Sequence, residues 1–146
     1  MWNEIETDKE IEDFLNITYS LHDSVVVSVN YQSGNDKNKS GGIHFSPYDK
    51  HTLSLVIYSS WSGYIEMLFG GVRKFSVTCF DDFYLHEIIS CYLKFHTDLY
   101  GKRRDDRLIV WADGHFEPLE KTSVSLNEKS STYIIAETLK WRYVED

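Results

Sequence analysis

Cysteine and proline are scarce in this chain, two of each among 146 residues. Cys79 and Cys91 are too few for a disulfide scaffold and are not spaced as a CxxC redox pair. Both are expected to be small buried hydrophobes in a reducing compartment. With so little proline and no low-complexity tract, no interdomain linker is expected. No apolar run approaches the roughly 18–20 residues that a membrane helix needs. The opening, MWNEIETDKEIEDF, is acidic where a signal peptide would be basic and then apolar. No repeat of solenoid period occurs. The expectation is a single globular domain over 1–146, cytoplasmic and not membrane-bound.

Positive charge is also short. Fifteen Lys and Arg against twenty-three Asp and Glu leave a net −8. Such a surface repels a phosphate backbone, so a nucleic-acid partner is not expected; the charge suits solubility, its commoner reason, or a basic protein partner. The basic cluster Lys102-Arg103-Arg104 is followed at once by Asp105-Asp106 and reads as a solvated hairpin tip. Apolar side chains, by contrast, are plentiful: 42% of residues are hydrophobic and 15% aromatic, too many for a disordered chain. A domain of this length buries about two-thirds of its unfolded surface without help from metals.

Periodicity then sets the fold class. Thr7 with Glu10 has the form of a capping box, and Ile11, Phe14 and Leu15 follow at helical spacing, which predicts a short helix over 8–17. From Ser24 the period becomes two: Val25, Val27, Val29 and Tyr31 against Val26, Ser28 and Asn30. The polar stretch QSGNDKNKSGG reads as an exposed hairpin connection. Further strands are predicted at 52–59, 64–69, 72–80, 107–112 and 132–143. In the last, Tyr133, Ile135, Leu139 and Trp141 share a face, with Glu137 the exception. Asp113-Gly114 is a short hairpin-turn signal. Over 82–96 a helical stripe (Leu85, Ile88, Ile89, Tyr92, Leu93) competes with strand alternation (Ile89, Cys91, Leu93, Phe95). The reading adopted is a helical turn over 82–87 followed by a strand. Together these predict an α+β domain, mainly antiparallel β-sheet, curled or two-layered, with one short N-terminal helix packed on a face.

Candidate chemistry is thin. His22-Asp23-Ser24 juxtaposes three residue types of hydrolase triads, but neighbours in an extended chain point to opposite faces, and no GxSxG elbow accompanies them. The segment reads as the start of a strand, with Asp23 and Ser24 bonding nearby backbone and His22 fixing the turn before it. The six histidines show no zinc spacing. His44 and His51 flank the Pro47 turn without a third ligand, and Asp81-Asp82 lacks the rest of a calcium loop. Gly70-Gly71 reads as a bulge or tight bend, not a phosphate cradle. No catalytic residue, metal site or cofactor is expected. Most aromatics are expected in the core, and those left outside would anchor a protein interface among acids. The candidate partner-binding residues are Asp81, Asp82, Glu87, Tyr58, Trp61 and Tyr92.

The series LHDSVVVSV, an alternating strand, IEMLFGGVRKFSV and a late IIAETLKW resembles a loose group of small bacterial domains, some of them similar to immunity proteins of polymorphic-toxin gene clusters. The shared motifs are the His-Asp-Ser strand start and the hairpin with apolar-Phe-x-Gly-Val, and the likeness covers about residues 20–143. It implies a non-enzymatic, partner-binding role and supplies no catalytic residues. The expected function is therefore an acidic protein-binding domain, immunity-like, that neutralises a basic partner. The alternatives are a small-ligand-binding or hydrolytic β-rich domain using Asp81, Asp82, His86 and Glu87 at a loop-borne site, and a purely structural domain.

Overall fold

The structure is a computed structural model, and it describes residues 1–78, 87–97, 99, 107–114, 116 and 132–145. Along the chain lie β1 (Asn3–Ile5), α1 (Asp8–Ile17), β2 (Ser24–Gln32), β3 (Asp36–Lys37) and β4 (Ile43–His44). They are followed by β5 (Thr52–Ser59), β6 (Gly63–Gly70), β7 (Lys74–Ser76), β8 (Tyr92–His96), β9 (Leu108–Ala112), β10 (Tyr133–Ala136) and β11 (Thr138–Tyr143). A five-stranded sheet has the order β1-β11-β6-β5-β2, and a four-stranded sheet the order β7-β10-β9-β8. Every pairing is antiparallel. The fold is α+β, largely antiparallel, in two layers.

The helix begins where its capping box requires. Thr7 has extended backbone and its Oγ1 accepts from the Glu10 N–H at 3.2 Å, while Glu10 Oε1 accepts from the Glu6 N–H at 3.0 Å. Ile11 and Phe14 are its buried residues, and the Phe14 ring meets Trp141 of β11 edge-on at 5.1 Å. Contacts with β8 bring the same helix against the second sheet.

The core lies between the sheets. Leu53, Leu55 and Ile57 from β5 and Ile65, Met67 and Phe69 from β6 are fully buried, as period two predicts. They meet Ile109, Trp111 and Ile134 of the second sheet. Each such side chain contributes roughly 1.5–3 kcal/mol by leaving water. β9 and β10 are buried on both faces, because Leu108, Val110, Ala112, Tyr133 and Ile135 join Phe116 in a second cluster behind the sheet. That accounts for their unbroken apolar runs, LIVWA and YIIA. Cys91 is a free buried thiol whose pKa is pushed up to about 12 chiefly by loss of water. Cys79 lies outside the described residues.

Several expectations change. The stretch 132–143 is two strands in two sheets, not one strand. Glu137 is the pivot: Ile134 and Ala136 before it reach the same core as Leu139 and Trp141 after it, so Tyr133 and Ile135 lie on the opposite side from the latter pair. A one-residue slip in phase moves a whole face. In β2 the register slips between Val26 and Ser28, where Val27 bulges. Val26 and Val29 therefore pack on the core, while Val25 and Val27 face solvent. The strand expected over 72–80 is observed only as β7, with 79 and 80 outside the described residues. Asp113-Gly114 does not close a two-residue hairpin, since β9 ends at Ala112 and β10 begins at Tyr133. The hairpin connection after β2 carries a small ribbon of its own, β3 with β4. Of 82–96, the strand half is β8; 82–86 lie outside the described residues, as do Lys102-Arg103-Arg104.

The pivot has a partner. β6 gives way to β7 at Gly70-Gly71, opposite the break between β10 and β11, so both segments leave one sheet for the other at a shared corner. The Glu137 N–H donates to the carbonyls of Gly70 and Gly71 at 3.0 and 3.2 Å, and the Arg73 N–H to that of Ile135 at 2.8 Å. Arg73 Nη2 meets Glu137 Oε1 at 2.5 Å. Gly71 has φ +63°, and a Cβ there would stand 2.6 Å from Glu137 Oε2. Gly71→Ala should lower the unfolding free energy by about 2–4 kcal/mol, combining left-handed strain with displacement of the carboxylate. Thr7→Ala, by comparison, should lose about 1 kcal/mol. Urea titration of both variants checks this, and a Gly71→Ala loss no larger than that of Thr7→Ala would refute the strained corner.

Candidate functional site

Between α1 and β2 the backbone turns left-handed. Tyr19, Ser20, Leu21 and Asp23 have φ of 55°, 53°, 56° and 58°, and none is glycine. Each such residue costs roughly 1–2 kcal/mol, so the surroundings must hold it. Leu21 is fully buried. Its N–H donates to Thr18 O at 3.0 Å, the His22 N–H to Tyr19 O at 2.9 Å, and the Cys91 N–H to Ser20 O at 2.9 Å. The Asp23 N–H donates to Ile88 O at 3.0 Å, and Ile88 forms a β-bridge with Ser24.

This geometry revises the argument about His22-Asp23-Ser24 while keeping its conclusion. β2 does begin at Ser24. Because Asp23 is left-handed and not extended, however, His22 and Asp23 do not diverge: His22 Nε2 lies 3.4 Å from Asp23 Oδ1. His22 Nδ1 lies 2.7 Å from the Ile89 carbonyl and so carries the proton, since that oxygen can only accept. Ser24 is fully buried, and its Oγ makes no hydrogen bond among the described residues. A nucleophile there could not meet substrate. The three residues fasten a strand start to the segment before β8.

The other Asp23 oxygen reaches outward. Trp61 Nε1 donates to Asp23 Oδ2 at 3.1 Å, and the Trp61 ring packs on Tyr19 with centroids 5.6 Å apart. Trp61 sits on the β5–β6 turn, where Ser59 Oγ accepts from the N–H groups of Trp61 and Ser62 at 3.1 and 3.2 Å. Despite these restraints it is 60% exposed, and Tyr19 61%. Beside them, Tyr58 and Tyr64 form a cross-strand pair with rings 5.0 Å apart, and Val25 pairs with Tyr58 on the neighbouring strand. Ile89 is exposed on the adjoining segment, next to Ile88.

Of the six expected partner-binding residues, Tyr58 is exposed near the end of β5 and Trp61 on the β5–β6 turn that follows. Glu87 is exposed next to Ile88, at the bridge to Ser24, and supplies an acid at the same end. Tyr92 does not join them. It packs in the cluster behind the second sheet, its OH 2.7 Å from His96 Nε2 and its ring near Phe116. Asp81 and Asp82 lie outside the described residues, as does His86 of the hydrolytic alternative. Tyr19, Asp23 and Tyr64 were not foreseen. A helix ending at Ile17 without a C-cap glycine, then TYSLHD, was the available signal for the turn.

His44 stands in β4 opposite Asp36, while His51 Nε2 approaches Ser46 O and Nδ1 approaches Tyr31 OH, both at 3.3 Å. Among the described residues no group of three His, Cys, Asp or Glu side chains could hold a metal ion. A cleft of about 640 Å³ runs beside the corner, lined among others by Glu6, Thr7, Arg107, Glu137 and Lys140. Three of its charges have partners: Glu137 meets Arg73, Arg107 lies over the Phe95 ring at 3.9 Å, and Lys140 over Trp2 at 5.0 Å. Among the described residues no helix is long and apolar enough to cross a membrane. No protein-family model, no curated protein and no solved structure matches the chain.

The outer face next to Tyr64 is braced by Glu66. Ser54 Oγ donates to its Oε2 at 2.7 Å, while Arg142 Nε and Nη2 reach Oε1 at 2.9 and 2.8 Å. The Ser54 bond first, then Arg142, hold this carboxyl below its ordinary value against the opposing effect of burial. A depressed carboxyl stabilises the fold above its unfolded pKa, and that contribution disappears as pH falls through the lower folded value. Between about pH 5 and pH 3 the stability of Glu66→Gln should therefore decline less steeply than that of the parent. Denaturant midpoints across that range measure it, and parallel curves would contradict the role given to the brace.

Proposed function

We propose that this is an acidic protein-binding domain of the immunity-like kind, which neutralises a basic protein by engaging it through the Trp61 end. The observation carrying this reading is Trp61 itself, exposed over most of its surface yet restrained by the Asp23 carboxylate and the Tyr19 ring. Aromatic residues fixed in advance lose little freedom on binding, and Trp and Tyr dominate interface hot spots. Tyr58, Tyr64 and Val25 extend the apolar area around it. The net −8 supports a basic partner, because charge complementarity raises association rates. A cytoplasmic setting accords with the free thiol of Cys91.

Immobilised protein should retain one stoichiometric basic protein from an extract of the native host. Trp61→Ala should weaken that complex by about 30-fold or more, the hot-spot range, without changing the thermal midpoint. Glu87→Lys and added salt should slow association while leaving the fold intact. Retention unaffected by Trp61→Ala would overturn the reading. So would recovery of no partner together with turnover of a small substrate, which would favour the ligand-binding or hydrolytic alternative.

A further inference from the structure

We propose that Trp61 and Asp23 together take an arginine side chain of the basic partner, its guanidinium flat on the indole and its N–H groups on the carboxylate. The inference deepens the functional reading above and rests on it. The chain holds its own precedent for such a grip. Arg142 lies over the Trp2 ring at 4.2 Å, while its Nε and Nη2 donate to Glu66 Oε1 at 2.9 and 2.8 Å. One guanidinium thus stacks on an indole and holds a carboxylate at once. Its flat face meets the negative face of the ring, and the N–H groups along its edge stay free to donate.

Trp61 and Asp23 supply the same two halves on the surface. Trp61 Nε1 donates to Asp23 Oδ2 at 3.1 Å, which sets the carboxylate at the edge of the ring. Tyr19 supports the ring, and Trp61 still keeps 60% of its surface open. Among the described residues, the Lys and Arg side chains that lie over rings do so at Phe95 and Trp2, not at Trp61. The carboxylate also has bonding capacity left. Its side chain is 39% exposed, and among the described residues Oδ1 faces His22 Nε2 at 3.4 Å. Because His22 Nδ1–H donates to Ile89 O, Nε2 turns a lone pair toward Oδ1. Two acceptors side by side suit an incoming donor, and the edge of a guanidinium brings more than one N–H.

Charge and shape together select arginine. The net −8 draws any cation toward the chain, so attraction alone does not discriminate. An ammonium is a compact, strongly hydrated point charge. A guanidinium is planar, gives up water more readily and presents its donors as a fork, so it can stack on Trp61 and reach Asp23 and His22 together. An anionic ligand would meet the Asp23 charge head on. A purely apolar side chain could cover the ring, but it would take the Asp23 and His22 acceptors out of water without a donor. The site is also formed in advance. Asp23 is fixed by its left-handed backbone and by its N–H bond to Ile88 O, so little freedom is lost on binding.

Two peptides of equal length and charge, one alternating glycine with arginine and the other glycine with lysine, separate shape from charge. Each is titrated into the isotope-labelled chain while the Trp61 indole N–H resonance is followed. The arginine peptide should move that resonance and bind about fivefold or more tightly than the lysine peptide. Asp23→Asn should weaken the arginine peptide by about fivefold or more. Its thermal midpoint should stay that of the parent, because Asn tolerates left-handed backbone and its amide oxygen still accepts from Trp61 Nε1. Trp61→Leu, at an exposed position, should bring the two peptides to equal affinity, and it decides the matter if Asp23→Asn fails to fold. Equal affinities in the parent, a folded Asp23→Asn that binds like the parent, a Trp61→Leu that keeps the preference, or binding that leaves the Trp61 resonance in place would each overturn the proposal. A host protein retained through Trp61 yet indifferent to Asp23→Asn removes the arginine grip and spares the functional reading. The expected peptide preference with no host protein retained does the reverse.

Discussion

Both sheets depend on the clasp between Arg73 and Glu137. The two segments that pair as β6 with β11 in one sheet pair again as β7 with β10 in the other. Without a bend at their shared midpoint they would continue as one long ribbon, and no second layer would face the first. Gly71 permits the bend on one segment through its positive φ, and the Glu137 N–H fixes the other by binding the carbonyls of Gly70 and Gly71. The Arg73 side chain is 9% exposed, so its charge needs an anion close by. Glu137 supplies that anion from the opposite segment. The pair thus sits where both segments pass from one sheet to the other.

Stability and strain are divided between different parts of the molecule. The interior between the sheets is fully buried aliphatic and aromatic side chain, including Leu55, Met67, Ile109 and Trp111. The left-handed turn at Tyr19–Leu21 and Asp23 draws on that reserve, at roughly 1–2 kcal/mol per residue. Leu21 offsets part of it by inserting into the core, and Cys91 and Ile88 bind the turn through backbone hydrogen bonds. What the strain achieves is placement. It aims the Asp23 carboxylate at the Trp61 indole and lifts Tyr19 beside the same ring. The surface proposed as functional is thus built by backbone that simple propensity disfavours.

Much of the fold was legible from residue pattern alone. The capping box at Thr7 and Glu10, the alternation of Leu53, Leu55 and Ile57, and the double glycine at the bend all mean in the structure what their chemistry implies. β1 was missed because three residues, one of them buried, leave no period to detect. The site was legible in part. Tyr58 is exposed as its place in the alternation of β5 implies, whereas Tyr92 packs behind the second sheet because nothing local reveals that this sheet is buried on both faces. The Tyr19–Asp23 turn was hidden for a different reason. Left-handed backbone in non-glycine residues is imposed by tertiary contacts, and TYSLHD contains none of the glycine or asparagine that usually marks it.

The two largest misreadings share one cause. At Val27 and at Glu137 the side-chain phase slips by one residue, and both slips occur where apolar residues occupy both faces. In VVVSV the alternation of Val25, Val27 and Val29 is as regular as any strand could offer, yet the bulge puts Val29 inside and leaves Val25 and Val27 outside. In YIIAETLKW a single polar residue looks like a tolerated exception, yet it is the point where the chain changes sheets. Period two can locate a strand but cannot count an inserted residue when either phase looks hydrophobic. The consequences differ with position. At Glu137 the slip brings both halves of the segment into one core and makes two layers possible. At Val27 it turns Val29 into the core, while Val25, which pairs with Tyr58, and Val27 stay outside.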